Sequence, residues 1–320
     1  MADFVFATCL PGVEPALKLD VARTRPELRF AYSRHGLVTF KSPRPVAADD
    51  APGSVFARVW GRSVGAARDP GEAARQLAAL AADRVHVFAR EPEGPAADLA
   101  AWQALGPGGA AAPGELVADV IVPPRGDEPA WLGVHRHDAH HVAQAGGAIP
   151  VDVPAEAPSR AYAKIEEAIA WAGLPVAAGQ VALEIGAAPG GAVLALARRG
   201  LEVWGVDTGE LAPAVRAMPR VHHLAKKVGA VRWEDLPPRI DWLLVDVNLA
   251  PQVALHEIAR LMPRLLPTLR GAVITLKLND WSFVNALPSL VARIRQLGLR
   301  DVRVRHLPSN RREVCAVALR

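Results

Sequence analysis

Apolar positions follow two different patterns along the chain. In the second half they form short continuous runs, at residues 181–185, 202–206, 241–247 and 271–278, each bounded by polar or glycine-containing turns. Runs of that length read as strands buried on both faces. Between them lie segments whose apolar residues recur at helical spacing: Ile165, Ala168, Ile169 and Trp171 within 159–173, Val193, Leu194, Leu196 and Ala197, then 252–265 and 283–297. A strand at 301–307, a turn at Pro308-Ser-Asn-Arg-Arg312 and a strand at 313–319 close the chain. The alternation predicts an α/β fold with a mainly parallel sheet covered on both faces, the closing hairpin adding one antiparallel strand. The first half reads differently. Strands at 3–9, 35–41, 54–61, 84–89, 117–122 and 130–137 and helices at 14–22 and 72–82 predict a small α+β domain. Residues 91–116, rich in Ala, Pro and Gly, read as a surface excursion, and the proline-rich connector at 148–158 separates a domain of residues 1–150 from one of 151–320.

Composition changes this picture in two places. The chain has 320 residues, enough for two domains, and only Cys9 and Cys315 as cysteines, which excludes a disulfide framework or a CxxC metal site and suits a reducing compartment. No basic-plus-apolar leader opens the chain and no apolar run approaches the ~18 residues of a membrane span, so a cytoplasmic protein without a membrane partner is expected. Charge is uneven. Residues 1–150 hold 15 Lys+Arg against 17 Asp+Glu, whereas residues 151–320 hold 22 against 16. Seven arginines fall between Arg293 and Arg312, a density suited to a polyanion such as RNA, with a solvated basic face as the plainer reading.

The candidate chemistry gathers at the ends of the buried runs. Gly186-Ala187-Ala188-Pro189-Gly190-Gly191 follows the strand 181–185 and opens a helix, and Asp207 ends the next strand. An acid so placed can hold a ribose diol. Glu184 sets a carboxylate beside the turn, which repels phosphate but suits a cation. S-adenosylmethionine, with its amino group, sulfonium and ribose, fits that order of groups. Lys277 follows Val273, Ile274, Thr275 and Leu276, so its stem is desolvated, which lowers an amine's pKa toward the range of a general base. Asp246, at the end of another buried run, is its natural partner. Lys164 taken alone is a surface lysine paired with Glu167. The run His135-Arg-His137-Asp-Ala-His140-His141 offers imidazoles, but no second cluster completes a tetrahedral set. It reads as a polar strand end leading into a loop, and no metal site is expected.

Six segments in order, SRAYAKIEEA, LEIGAAPGG, VDTG, LLVDV, TLKL and NRREV, resemble the FtsJ-type ribose 2′-O-methyltransferases. The resemblance implies a Rossmann-like S-adenosylmethionine methyltransferase domain with a catalytic tetrad of Lys164, Asp246, Lys277 and Glu313, Lys277 being the base. It also implies a cofactor site built from Glu184, Gly186, Ala187, Ala188, Pro189, Gly190, Gly191, Asp207 and Asp246. APSRAYAKIEEA, HLPSNRREV and FVFATCLPGVE further resemble the RlmM group, which methylates a cytidine ribose in 23S ribosomal RNA and carries a THUMP-containing RNA-binding region before the catalytic domain. Large-subunit ribosomal RNA is therefore the implied partner. Two positions depart from that group: Ala161 stands in place of a serine, and Lys226-Lys227 stand where an acid contacts the adenosine, so adenine recognition is expected to move toward Glu234 or Asp235. The alternative is a non-catalytic RNA-binding or ribosome-assembly factor that retains the methyltransferase fold.

Overall fold

Two seven-stranded sheets carry the chain, one in each of two units that meet between Ile149 and Pro150. The structure is a computed structural model and describes residues 3–92, 94 and 97–320; positions 93, 95 and 96 of the Ala-Pro-Gly excursion lie outside the described residues.

The first unit runs β1 (Asp3–Thr8), α1 (Glu14–Thr24), β2 (Arg29–Arg34), β3 (Leu37–Ser42), β4 (Trp60–Ala67), α2 (Pro70–Ala78), β5 (Arg84–Ala89), α3 (Ala100–Gln103), β6 (Leu116–Val122) and β7 (Ala130–Arg136). Its sheet has the order β2-β3-β1-β4-β7-β6-β5, antiparallel throughout except for the β5–β6 pair. Phe6, Leu37, Val59, Phe88 and Ile121 form one core cluster. Ala73 and Leu77 of α2 pack with Val120 and Leu132 in another. Each fully buried side chain of this size stabilises the fold by roughly 1.5–3 kcal/mol.

The second unit runs α4 (Ala161–Ala172), β8 (Val181–Ile185), α5 (Gly191–Arg198), β9 (Glu202–Val206), α6 (Pro213–Arg216), β10 (Val221–Leu224), β11 (Trp242–Val245), α7 (Pro251–Leu265), β12 (Gly271–Lys277), α8 (Leu287–Gln296), β13 (Asp301–Arg305) and β14 (Glu313–Leu319). The sheet order is β10-β9-β8-β11-β12-β14-β13. The β10–β9, β9–β8, β8–β11 and β11–β12 pairs are parallel, and β14 is antiparallel to both of its neighbours. This is the Rossmann-like architecture expected from the alternation of runs. Its central strands are mostly apolar because helices cover both faces: Leu183, Leu243 and Ile274 are wholly buried, as are Val193 of α5 and Leu290 of α8.

Several boundaries differ from the sequence expectation. The strand expected at 54–61 begins only at Trp60, because Phe56 and Ala57 are buried from an irregular turn. Helix α2 starts at Pro70 rather than 72, where the Asp69 side chain caps it by accepting from the Glu72 N–H at 2.8 Å. Strands β2 and β10 carry too little apolar signal to be read, β2 because its residues are almost all exposed. The helix expected at 283–297 opens as a 3-10 turn over Trp281–Ala286 before α8.

Candidate active site

The sheet of the second unit reverses its strand order between β8 and β11, the place where open α/β sheets hold ligands beyond their strand ends. Gly186 leaves β8 there with φ +90°, a conformation that L side chains avoid. A Cβ at Gly186 would lie 2.5 Å from the Asp246 carbonyl oxygen, so the two strand ends approach as closely as glycine permits. Gly190, at φ +108°, swings the chain into α5. Gly191 lies against Ser159 and Tyr162, leaving no room for a side chain between α5 and the start of α4. Asp207 closes the turn from the neighbouring strand by accepting from the Ala188 N–H at 3.0 Å and the Gly209 N–H at 2.8 Å. Each carboxylate oxygen keeps a lone pair for a further donor.

Gly186, Ala188, Asp207 and Asp246 line a cleft of about 590 Å³, within the range of small-molecule sites. Ala187, Gly190 and Gly191 are buried and Pro189 is exposed; these four shape the turn and are not part of that lining. Glu184 lies outside that lining as well. It is 2% exposed and, with Lys164, Asp246, Asn310 and Cys315, lines a small cavity of about 30 Å³. Its Oε2 is buried without a partner. Burial, followed by the charges of Asp246 and Asp207, pushes this carboxyl well above the ordinary range.

The far wall of the larger cleft contains Lys226, Lys227, Val228 and Gly229, with Val253 and Glu257 from α7. Asp235 bonds Lys226 at 2.7 Å, and neither Glu234 nor Asp235 is part of the cleft lining. The acid present there is Glu257, which is not legible in the sequence alone. Its signal is the four-residue spacing from Val253, visible only once α7 is placed over the strand ends.

Four charged side chains converge beside the turn. Lys277 ends β12 and Glu313 begins β14, directly opposite each other in the antiparallel register. Lys277 Nζ donates to Glu313 Oε2 at 2.9 Å and to Asp246 Oδ1 at 2.8 Å. Lys164, reaching in from α4, bonds Asp246 Oδ2 at 3.1 Å and Glu313 Oε1 at 2.5 Å. Cations and anions thus alternate around a closed ring. Lys164 does not pair along its helix; Glu167 instead accepts from the Ser309 N–H and hydroxyl.

Electrostatics correct one expectation about Lys277. Burial works to lower its pKa, but Asp246 and Glu313 outweigh burial and hold it above the usual lysine range. Asp246 and Glu313 are pushed up by burial and drawn further down by the two ammoniums, ending below the ordinary carboxylate range. In the ligand-free chain Lys277 is a cation.

The arginine-rich stretch divides by position. Arg305 is buried and Arg303 donates to the Ala172 carbonyl at 3.0 Å, whereas Arg295, Arg300, Arg311 and Arg312 are exposed. The His run is the end of β7 leading into a turn, as expected, but His135 and His137 are buried there, 2% and 4% exposed.

No protein-family model matches the chain. Among solved structures, TrmN from Thermus thermophilus aligns over 99% of this chain and 100% of its own at 16% identity, with a TM-score of 0.37 that carries no functional weight. Among curated proteins, the chain is 34% identical over 181 residues to the Ribosomal RNA large subunit methyltransferase M of Chromohalobacter salexigens, covering 53% of this chain and 49% of that protein. It is 33% identical over 209 residues to the protein of the same name from Alkalilimnicola ehrlichii, covering 59% and 55%. The chain therefore spans about half the length of the curated relatives it matches, and over that span it is similar to proteins named Ribosomal RNA large subunit methyltransferase M.

Proposed function

We propose that this chain transfers a methyl group from S-adenosylmethionine to a ribose 2′-hydroxyl of RNA, with large-subunit ribosomal RNA as the substrate. The observation that carries this reading is the ring of Lys164, Asp246, Lys277 and Glu313 at the carboxyl ends of β11 and β12, opening beside the glycine turn. The name of the curated relatives supports ribosomal RNA as substrate. No helix among the described residues is long and apolar enough to cross a membrane, which is compatible with a cytoplasmic site of action.

The site suits the methyl donor. Glu184 Oε2, buried and unpartnered, is an acceptor for a cationic amino group. Asp207 retains lone pairs for a ribose diol, and Gly186, with no Cβ, leaves backbone close to the cleft. Glu257, Lys226, Lys227 and the backbone of Val228 and Gly229 supply polar groups on the wall where the adenine would lie. When bound, the donor supplies a methyl group on a sulfonium that leaves as a neutral thioether. The protein's own task is to position the 2′-oxygen and receive its proton. Lys277 Nζ takes that proton as the O–C bond forms, while Asp246 and Glu313 fix the amine and Lys164 balances their charge. Because Lys277 is a cation in the ligand-free chain, its amine would first release a proton to solvent, a loss that the positive charge of a bound donor would favour.

The first unit is assigned to RNA binding. The exposed strand β2 carries Phe30 at 56% exposure and Tyr32 at 37%, with the Lys18 ammonium 4.4 Å from the Phe30 ring centre and the Arg34 guanidinium 4.8 Å from that of Tyr32. Aromatic faces interleaved with cations stack bases and neutralise phosphates.

The experiment is methyl transfer from radiolabelled S-adenosylmethionine into ribosomal RNA, with 2′-O-methyl mapping in cells that have or lack the gene. A single ribose methyl lost without the gene and restored by the wild-type chain supports the reading. A chain that binds RNA and donor but never transfers methyl is an assembly factor instead.

A further inference from the structure

We propose that His135, His137 and His141 of the first unit form a site for one divalent transition-metal ion of the zinc class, separate from the methyl-transfer chemistry. The strand register begins to build it. His135 lies on β7, two residues before His137, so the two side chains leave the same face of the strand. The chain then turns back. Asp138 accepts from the His140 N–H at 2.8 Å and the His141 N–H at 3.1 Å, and this turn returns the His141 ring onto His135, with ring centres 4.3 Å apart and planes within 16°. One nitrogen from each of His135, His137 and His141 lies within 4.8 Å of the other two.

Three further observations point to a cation rather than to ring packing alone. His135 Nδ1 meets Asp119 Oδ2 at 2.6 Å, with Asp119 wholly buried. A carboxylate only accepts, so Nδ1 carries the proton and Nε2 presents its lone pair, which is how a carboxylate behind a metal-bound imidazole sets the tautomer. His137, 4% exposed, has an Nδ1 that is buried without any hydrogen-bond partner. His141 places its two nitrogens toward two acceptors, Asp138 Oδ1 at 2.9 Å and the Trp60 carbonyl at 3.3 Å. Asp138 Oδ1 only accepts, so Nδ1 carries the N–H of the neutral ring and Nε2 turns a lone pair toward the Trp60 carbonyl. A metal ion at Nε2 gives that lone pair a partner, as it does for the unpartnered nitrogen of His137.

Three imidazoles with one position left for water match the tetrahedral preference of zinc and of cobalt in its place. Metal–nitrogen bonds of ~2.0–2.1 Å in a tetrahedron draw the ligand nitrogens together by up to about 1.5 Å, within reach of the soft χ2 rotation of histidine. The ion then ties the end of β7 to the turn that follows it, a structural function.

The test is titration of the full-length, tag-free, chelator-washed chain with cobalt(II) and then zinc(II). The expected result is one cobalt per chain with the visible absorption of a tetrahedral site, displaced by equimolar zinc, and a higher melting temperature with zinc. His137→Gln and His141→Gln should each weaken zinc binding at least about 100-fold, the upper part of what losing a supporting contact costs, while His140→Gln, at an exposed neighbour, binds as wild type. Circular dichroism of each variant separates lost binding from lost folding. If a variant does not fold, histidine-nitrogen scattering around the cobalt of the wild-type chain decides: three imidazoles sustain the site and two or fewer overturn it. The proposal also fails if the wild-type chain binds no zinc at tens of micromolar, or if folded His137→Gln and His141→Gln bind it as tightly as wild type.

Discussion

Glu167 accepts two hydrogen bonds from Ser309, from the backbone N–H at 2.8 Å and from the hydroxyl at 2.6 Å. Glu167 is one turn beyond Lys164 on α4, and Ser309 sits in the turn that delivers Glu313 to the head of β14. Two members of the charged ring, far apart in sequence, are therefore pinned to each other by a contact outside the ring. Glu167 is 4% exposed, so its removal strands a part-buried Ser309 N–H. Glu167→Ala should cost ~1–3 kcal/mol of stability and lower kcat for methyl transfer more than it raises KM for RNA. Thermal unfolding and initial rates on the same preparation check both.

Lys277→Ala should reduce methyl transfer by ~10²–10⁴-fold, the usual contribution of a positioned proton acceptor, with donor and RNA binding retained. It also leaves Asp246 and Glu313, 19% and 9% exposed as side chains, with one cation instead of two. Breaking such a mostly buried pair from one side costs roughly 3–5 kcal/mol at the upper end. Equilibrium dialysis of the donor beside a single-turnover assay separates lost chemistry from lost binding.

The ring also gives stability a pH dependence of definite sign. Asp246 and Glu313 have pKa values below the ordinary carboxylate range in the folded chain. Their contribution is complete above about pH 5, beyond the unfolded values near 4, and disappears as pH falls through the lowered folded values. Lys277 is raised above the ordinary lysine value. Its contribution is complete below about pH 10 and is lost as pH rises through the folded value. Urea unfolding across pH 2–11 should show the midpoint falling at both ends, and Lys277→Met should flatten the alkaline side.

Only Lys277 and Asp246 of the ring were legible in the apolar pattern itself, whereas Lys164 and Glu313 entered through the resemblance. Lys277 and Asp246 close apolar strands, and Glu313 opens one. Once the sheet is parallel, those ends share one edge. Strand β2 was hidden for the opposite reason: RFAYSR has no buried face and becomes a strand only by pairing with β3. Phe56 misled in the other direction, since a fully buried aromatic on an irregular turn looks like part of a strand. The raised pKa of Lys277 was not legible either, because desolvation is visible in a run of apolar neighbours whereas two carboxylates arriving from other strands are not. His141 joins His135 through a turn set by Asp138, and spacing alone does not reveal which way a ring turns back.

Glu184 makes the opposite prediction from the ring. Burial and the nearby Asp246 and Asp207 raise its folded pKa well above the ordinary value. A raised carboxyl contributes stability that is complete below the unfolded pKa, near 4.3, and is lost as pH rises toward the folded value. Its ionisation at neutral pH therefore opposes folding in the ligand-free chain. Glu184→Gln keeps the shape and removes the ionisation. The variant should melt at a higher temperature than wild type at pH 8 and at nearly the same temperature at pH 4, measured without donor. Binding of S-adenosylmethionine should weaken by about tenfold or more, equivalent to ~1.4 kcal/mol, because the amide offers the amino group no charge. Wild-type donor binding should release or take up protons in buffers of differing ionisation heat, and Glu184→Gln should not. A variant that binds donor as wild type does, with the same proton count, places the amino group elsewhere.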